Sequence, residues 1–313
     1  MSKYVISSSP HLRDNVSTTS IMRDVCIALL PAAVAGVLFF GYRSAIILAL
    51  SVAAAVLSEW LYCKAAHCRN TIGDFSAVMT GMLLAMNLPS TVPYWMPVIG
   101  SVIAILLCKM IFGGIGQNFI NPALAARAIL ALSWASLMNK FAAPAFGNLA
   151  GVDAVASATP IGAAAGTYTL GQLFLGNIPG TIGETCKLAL LIGAAYLFYK
   201  KVITWHIPAA FIGTFAVCYL LKTGFDVNAT LAQLLSGGLI LGAFFMATDY
   251  SSSPATAKGK IVFGIGCGLL LFIFRACKKT PAEWCSYAIL LMNVCSPLIE
   301  RVTGNKSFGE VKK

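Results

Sequence analysis

Acidic residues are scarce: Asp and Glu number 11 against 22 Lys and Arg in a chain of 313 residues, giving a net charge of +11. No two cysteines stand at C-x-x-C spacing; only Cys63 and Cys68 are close, and the other thiols fall singly in or beside apolar stretches. Their spacing argues against iron–sulfur and zinc frameworks, so buried apolar thiols are the plain reading and no metal site is expected. A strand-led dinucleotide fingerprint is missing too. Gly264-Ile265-Gly266-Cys267-Gly268 lies inside an apolar stretch and reads as close helix packing. The amino-terminal residues are polar and no small-residue cleavage site follows the first apolar run, so no cleavable signal is expected.

What is present is hydrocarbon. Hydrophobic residues make up 58% of the chain, charged residues 11%, and mean hydropathy is +0.81. About ten stretches suit a crossing of about 30 Å of lipid, near residues 22–42, 44–63, 74–90, 94–112, 119–138, 185–200, 204–222, 230–248, 259–277 and 283–300. The third and sixth are short and glycine-flanked, so they are candidates for re-entrant or broken helices. The expected fold is an all-α polytopic membrane protein. With the amino terminus inside, basic residues favour the inner side by roughly two to one, the bias that fixes topology. The cluster Arg275, Lys278 and Lys279 is the exception. Charge placed this way serves a lipid membrane, and nucleic-acid binding is not expected.

Five stretches precede a polar, glycine-rich segment and five follow it. The division reads as an inner amino-terminal segment (1–21), a first membrane half (22–138), an outer segment (139–184), a second membrane half (185–300) and an inner tail (301–313). Two five-helix halves have opposite orientations, which leaves an inverted repeat open. The run from Thr80-Gly81 to Leu88-Pro89 loosely echoes Ser236-Gly237-Gly238 to Gly242-Ala243, in the third stretch of each half.

Three polar features could carry chemistry; none reads as a catalytic residue. In Asp153-Ala154-Val155-Ala156-Ser157-Ala158-Thr159-Pro160, a hydroxyl sits in a bed of small residues. Threonine is a weak nucleophile, but it can accept a phosphoryl-linked group from a separate enzyme. Ser157 and Ala158 leave room for a bulky adduct, Pro160 stiffens the exit, and Asp153 could orient a donor. A plain loop is the competing reading. In the second feature, residues 113–127, Asn121 should cap a helix opened by Pro122, next to a glycine turn and Arg127, an arrangement suited to a ring carbonyl or an anion. Its competitor is a tight turn with Arg127 snorkelling to the headgroups. Third, Glu59 lies within the second stretch, and Asp249 stands beside Ser251, Ser252 and Ser253, oxygen groups that would suit a hard cation.

Five motifs in order resemble one family along nearly the whole chain. They are Ser9-Pro10-His11; Gly113-Gly114-Ile115-Gly116-Gln117-Asn118 with Asn121-Pro122-Ala123; Ile178-Pro179-Gly180-Thr181-Ile182-Gly183-Glu184-Thr185; Phe245-Met246-Ala247-Thr248-Asp249; and Ser286-Tyr287-Ala288-Ile289-Leu290-Leu291-Met292-Asn293. The family comprises the D subunits of Rnf complexes and the B subunits of sodium-pumping NADH:quinone reductases. The resemblance implies FMN joined through its phosphate to a threonine, here Thr159 preceded by Ala158. Ala156-Ser157 stand where the family pattern has serine and glycine. It also implies a non-covalent riboflavin near the inner surface, for which Asn118, Asn121 and Arg127 mark the candidate neighbourhood. The implied complex moves electrons between ferredoxin and NAD with coupled Na+ or H+ translocation. This chain would be a flavin-bearing relay that does not bind NAD. It would partner the A, B, C, E and G subunits of the Rnf complex and a flavin-transferring enzyme, in a prokaryotic cell (inner) membrane with both termini inside.

Two other functions compete. A channel or small-solute transporter would use Asn121-Pro122-Ala123 and Arg127 as a pore loop, though only one good copy is present. A structural subunit without flavin would account for the departure at Ala156-Ser157. Flavin content separates both from the relay.

Overall fold

The first apolar run becomes helix α1 (Thr18–Phe40) because Ser17 closes a capping box: its hydroxyl accepts from the Ser20 amide, while Ser20 Oγ accepts from the Ser17 amide. Gly41, at φ 75°, ends α1 and lets α2 (Tyr42–Ala65) begin at once. This computed structural model describes residues 16–68, 70–144, 156–157, 160–161, 168–277 and 284–304. The helices that follow are α3 (Ser76–Met86), α4 (Trp95–Met110), α5 (Pro122–Ser133), α6 (Ala135–Met138), α7 (Leu170–Leu175), α8 (Lys187–Tyr199), α9 (His206–Lys222), α10 (Val227–Leu235), α11 (Leu239–Met246), α12 (Ala257–Ala276) and α13 (Cys285–Thr303). Among the described residues the only sheet is a two-residue antiparallel ladder, β1 (Phe141–Ala142) with β2 (Ala156–Ser157).

The chain is an all-helical polytopic membrane protein, and each expected apolar stretch holds a helix or a helix pair. Fewer than ten of them have the length of a straight crossing. By length and composition α1, α2 and α12 can span, and α10 with α11 makes a fourth if the bent pair counts as one. The third stretch is indeed short: α3 has 11 residues, about 16 Å of helix at 1.5 Å per residue. The sixth, α8, has 13. The sharp break falls elsewhere, in the eighth stretch, where α10 and α11 meet at 67°. Gly237, at φ 63°, supplies the left-handed turn there.

Packing follows one scheme in both halves. The second helix lies on the fourth (α2 on α4, α9 on α12), and the fourth lies on the fifth (α4 on α5, α12 on α13). Between halves, the first helices pair (α1 on α8) and the fifth helices pair (α5 on α13). The third stretches meet end to end, with Asn87 Nδ2 donating to Met246 Sδ at 3.8 Å. The glycine run on α12 packs as its spacing suggests. A Cβ at Gly264 or Gly268 would lie 2.9 or 2.8 Å from backbone oxygens of α9, while Gly266 faces Met292 on α13.

Two helices end in a π-helical turn. The Ile111 amide reaches back to Leu106 O in α4, and the Ala247 amide to Gly242 O in α11. Such turns are often found at functional sites.

Residues 178–185 are buried throughout. The Ile182 amide donates to Leu88 O and the Gly183 amide to Met86 O, so this stretch closes onto the end of α3 and satisfies its last carbonyls.

Candidate functional site

Thr159, Asp153 and Ala158 lie outside the described residues. Their neighbours are placed on both sides. The Ser157 backbone pairs with Phe141 in the β1–β2 ladder. Ile161 lies against Gly237, where a Cβ would come within 2.5 Å of Ile161 Cδ1.

Asn118 and Asn121 do come together. Both line a cavity of about 210 Å³ with Ser76, Thr80, Lys109, Gly116 and Asp249, walled by Met22, Met79, Leu83, Ile115, Pro122 and Ala123. A mostly apolar wall with a few polar groups is the usual make-up of a cofactor site. Asn121 caps α5 as its sequence suggests, its Oδ1 accepting from the Ala123 and Leu124 amides at 3.1 and 3.4 Å. Its Nδ2 donates to Met246 O at 3.2 Å and ties α5 to the π turn of α11. Both ends of the Asn121 amide therefore serve the protein. Gly113, Gly114 and Gly116 all take positive φ, and a side chain at Gly116 would meet no protein atom within 4 Å, so the rim there stays open.

Asp249 lies in the turn after α11. Ser251 Oγ and Ser252 Oγ donate to its Oδ2 at 3.1 and 3.0 Å, and Asn118 also bonds to the carboxyl. Burial pushes the Asp249 pKa above its ordinary value; the bonds from Ser252, Ser251 and Asn118 pull it partly back. The serines thus serve the carboxyl, and no group of three or more His, Cys, Asp or Glu capable of holding a metal occurs among the described residues.

Glu59 finds a partner that the sequence marks only as a topology charge. Lys109 Nζ, on the π turn of α4, donates to Glu59 Oε2 at 2.7 Å and to Ser76 Oγ at 2.5 Å. Both side chains are almost fully buried, and Thr71 Oγ1 donates to the other carboxylate oxygen. The available signal was a lysine inside an apolar run, facing a glutamate inside another.

Arg127 does not join the asparagines. Six residues along α5, it is displaced about 9 Å from Asn121. It does not snorkel to the surface either: it is buried, donates to Ser286 Oγ on α13, and stands 3.9 Å from Glu184. Lys187 Nζ, fully buried, donates to Glu184 O and to Gly237 O, the latter at 2.7 Å. A Cβ on Gly238 would collide with the Glu184 carboxylate, so glycine there makes room for the charge. Arg275, the exception to the charge rule, is held by Gln233 O at 2.7 Å and Ser236 O at 2.9 Å, with Phe215 beneath it. Arg275 thus binds the carbonyls freed at the α10–α11 break.

The sequence that builds this geometry matches known proteins from end to end. The model of the NQR2, RnfD, RnfE family matches residues 5–309. The chain is 48% identical to the D subunit of the Na(+)-translocating ferredoxin:NAD(+) oxidoreductase complex of Acetobacterium woodii, over 98% of this chain and 96% of that one. It is 41% identical to the D subunit of the proton-translocating ferredoxin:NAD(+) oxidoreductase complex of Clostridium ljungdahlii, with the same coverage. Identity to the D subunit of the ion-translocating oxidoreductase complex of Halorhodospira halophila is 33%, over 97% and 95%. The chain belongs to the NQR2, RnfD, RnfE family.

Proposed function

We propose that this chain is the D-type membrane subunit of an ion-translocating ferredoxin:NAD oxidoreductase, relaying electrons by way of flavins within the complex. The observation that carries the reading is identity along nearly the full length of subunits so named, 48% over 98% of the chain in one case. The A, B, C, E and G subunits are the partners, and both termini lie on the inner side of the cell membrane. The coupled ion is Na+ or H+, for which relatives at 48% and 41% identity are named.

FMN is held covalently through its phosphate at Thr159, placed there by a flavin-transferring enzyme that reads the Asp153–Thr159 stretch. Riboflavin is held without a covalent bond in the Asn118 cavity. The residues present suit a flavin ring: apolar walls for its faces, and the Asn118 amide, the Asp249 carboxyl and the Lys109 ammonium at its edges. A flavin supplies one- and two-electron chemistry when bound; the protein's task is to orient it and set its charge environment. Lys109, held by Glu59 and Ser76, stands in the cavity wall as one side of a closed ion pair. Asn121 fixes the α5 end that forms its floor.

The test is in-gel flavin fluorescence of the denatured chain, produced with its flavin-transferring enzyme, for wild type and Thr159→Val. A fluorescent wild-type band and a dark variant are expected. A dark wild-type band, with the enzyme active on another substrate, would overturn the covalent site.

A further inference from the structure

Riboflavin ends in neutral hydroxyls, whereas FMN ends in a phosphate that carries about two negative charges at neutral pH. Proteins receive such a phosphate on open amides at a helix start, or on a lysine or arginine. The Asn118 cavity contains both kinds of group, and each is already engaged. The α5 helix starts in its wall, but Asn121 Oδ1 accepts from the Ala123 and Leu124 amides at 3.1 and 3.4 Å, and Pro122 has no amide proton to offer. Among the described residues Lys109 is the only Lys or Arg in the lining, and its ammonium donates to Glu59 Oε2 at 2.7 Å and to Ser76 Oγ at 2.5 Å. The other charged residue lining the cavity is Asp249, which the protein covers only in part. Ser251 Oγ and Ser252 Oγ donate to its Oδ2 at 3.1 and 3.0 Å and Asn118 adds a third bond, and all three favour the charged form of the carboxyl.

Resting on the reading of this cavity as the riboflavin site, we infer that Asp249 selects the flavin without a phosphate. Its carboxylate repels the phosphate of FMN, while Asn121 and Glu59 keep the α5 amides and the Lys109 ammonium from receiving it. Riboflavin and FMN share their ring and ribityl chain, so only the phosphate can tell them apart. A carboxylate in a poorly solvated wall opposes an anion over several ångströms. A chain of neutral hydroxyls meets no such repulsion, and the hydroxyl and amide groups of Thr80, Ser251 and Asn118 suit it. A group that repels the wrong ligand is a common source of specificity. Asp249 then decides which flavin enters and takes no part in the electron transfer.

The experiment uses the full chain in nanodiscs, produced without the flavin-transferring enzyme and freed of non-covalent flavin. It is titrated with riboflavin and with FMN in mildly alkaline buffer, and quenching of flavin fluorescence reads the binding. Wild type should bind riboflavin about tenfold or more tighter than FMN, the effect of one like charge nearby. Asp249→Asn keeps the size of the side chain and should bring FMN close to riboflavin by raising FMN affinity, with riboflavin affinity little changed. Asp249→Glu should keep the preference. Equal affinities in wild type, or a preference that Asp249→Asn leaves intact, would overturn the inference while the cavity remains a flavin site. Failure of wild type to bind either flavin would overturn the riboflavin site itself, and the inference with it. Should Asp249→Asn fail to accumulate, Thr18→Lys decides, because Thr18 is an exposed residue of the cavity lining. A cation there should raise FMN affinity relative to riboflavin, and an unchanged ratio contradicts selection by charge.

Discussion

Glu59 and Lys109 meet at 2.7 Å between α2 and α4, whereas Arg127 and Glu184 stand 3.9 Å apart between α5 and the stretch leading into α8. The first pair is matched and closed: Ser76 takes a further ammonium proton, and Thr71 serves the second carboxylate oxygen. The second is loose and spread over backbone carbonyls, a serine and neighbouring cations. A closed pair cancels its own field beyond a few ångströms and acts chiefly on structure. Tight geometry therefore points to a positioning role at the Asn118 cavity, and the shared contacts of the second cluster to a role in tying α5 and α13 to the stretch that leads into α8.

The largest effect should come from opening the closed pair. Glu59→Ala leaves the Lys109 ammonium buried without its carboxylate, and removing one partner of a buried pair costs about 3–5 kcal/mol. Replacing both residues, Glu59→Met with Lys109→Met, should recover most of that loss, since apolar residues of similar size fill the site without a charge. Thermal unfolding of the detergent-solubilised chain, followed by tryptophan fluorescence, checks both. Equal destabilisation of single and double variants would break the comparison, because the pair would then have no internal cancellation.

Neither pair was legible as a pair. Glu59 and Lys109 are 50 residues apart, and Lys109 reaches Glu59 from a π turn that no local period announces. Arg127 read as part of the asparagine segment because sequence neighbours share a helix, yet six residues of rise separate their surroundings. Residues 178–184 read as the end of the polar, glycine-rich segment, and their burial against α3 depends on partners some 95 residues away, by about the spacing of Ile182 and Leu88. What was legible is what lipid and local geometry impose: the apolar stretches, the shortness of α3 and α8, the Asn121–Pro122 helix start, and the glycines of α12. The break at Gly237 was missed because the apolar pattern runs on across it.

A smaller effect should separate the two proposed flavin sites. Asn121→Ala removes an N-cap worth about 1 kcal/mol and the bond to Met246 O, loosening the floor of the cavity. The chain should then lose flavin that is released on denaturation while keeping its in-gel fluorescence at Thr159. Release assays on purified protein measure the first quantity, and the gel the second. Parallel loss of both would mean that the sites are one structural unit and that the contrast drawn between the two ends of α5 is wrong.

The smallest effect concerns Asp249, where hydroxyl and amide donors work against the burial that raises its pKa. A carboxyl with a raised folded-state pKa favours the native state most when neutral. Its contribution is present below the ordinary value of 3.8 and is lost as the pH climbs through the raised value. Wild type should therefore lose stability relative to Asp249→Asn as the pH rises through that window, because asparagine does not ionise. Melting temperatures of the two chains across acidic to neutral pH supply the check. A constant difference would place the charged form at no disadvantage, and a difference of the opposite sign would make the Asp249 carboxylate, like Glu59, a charge that its surroundings stabilise. The cavity wall would then carry two satisfied charges of opposite sign, Asp249 held by its serine donors and Lys109 by Glu59 and Ser76.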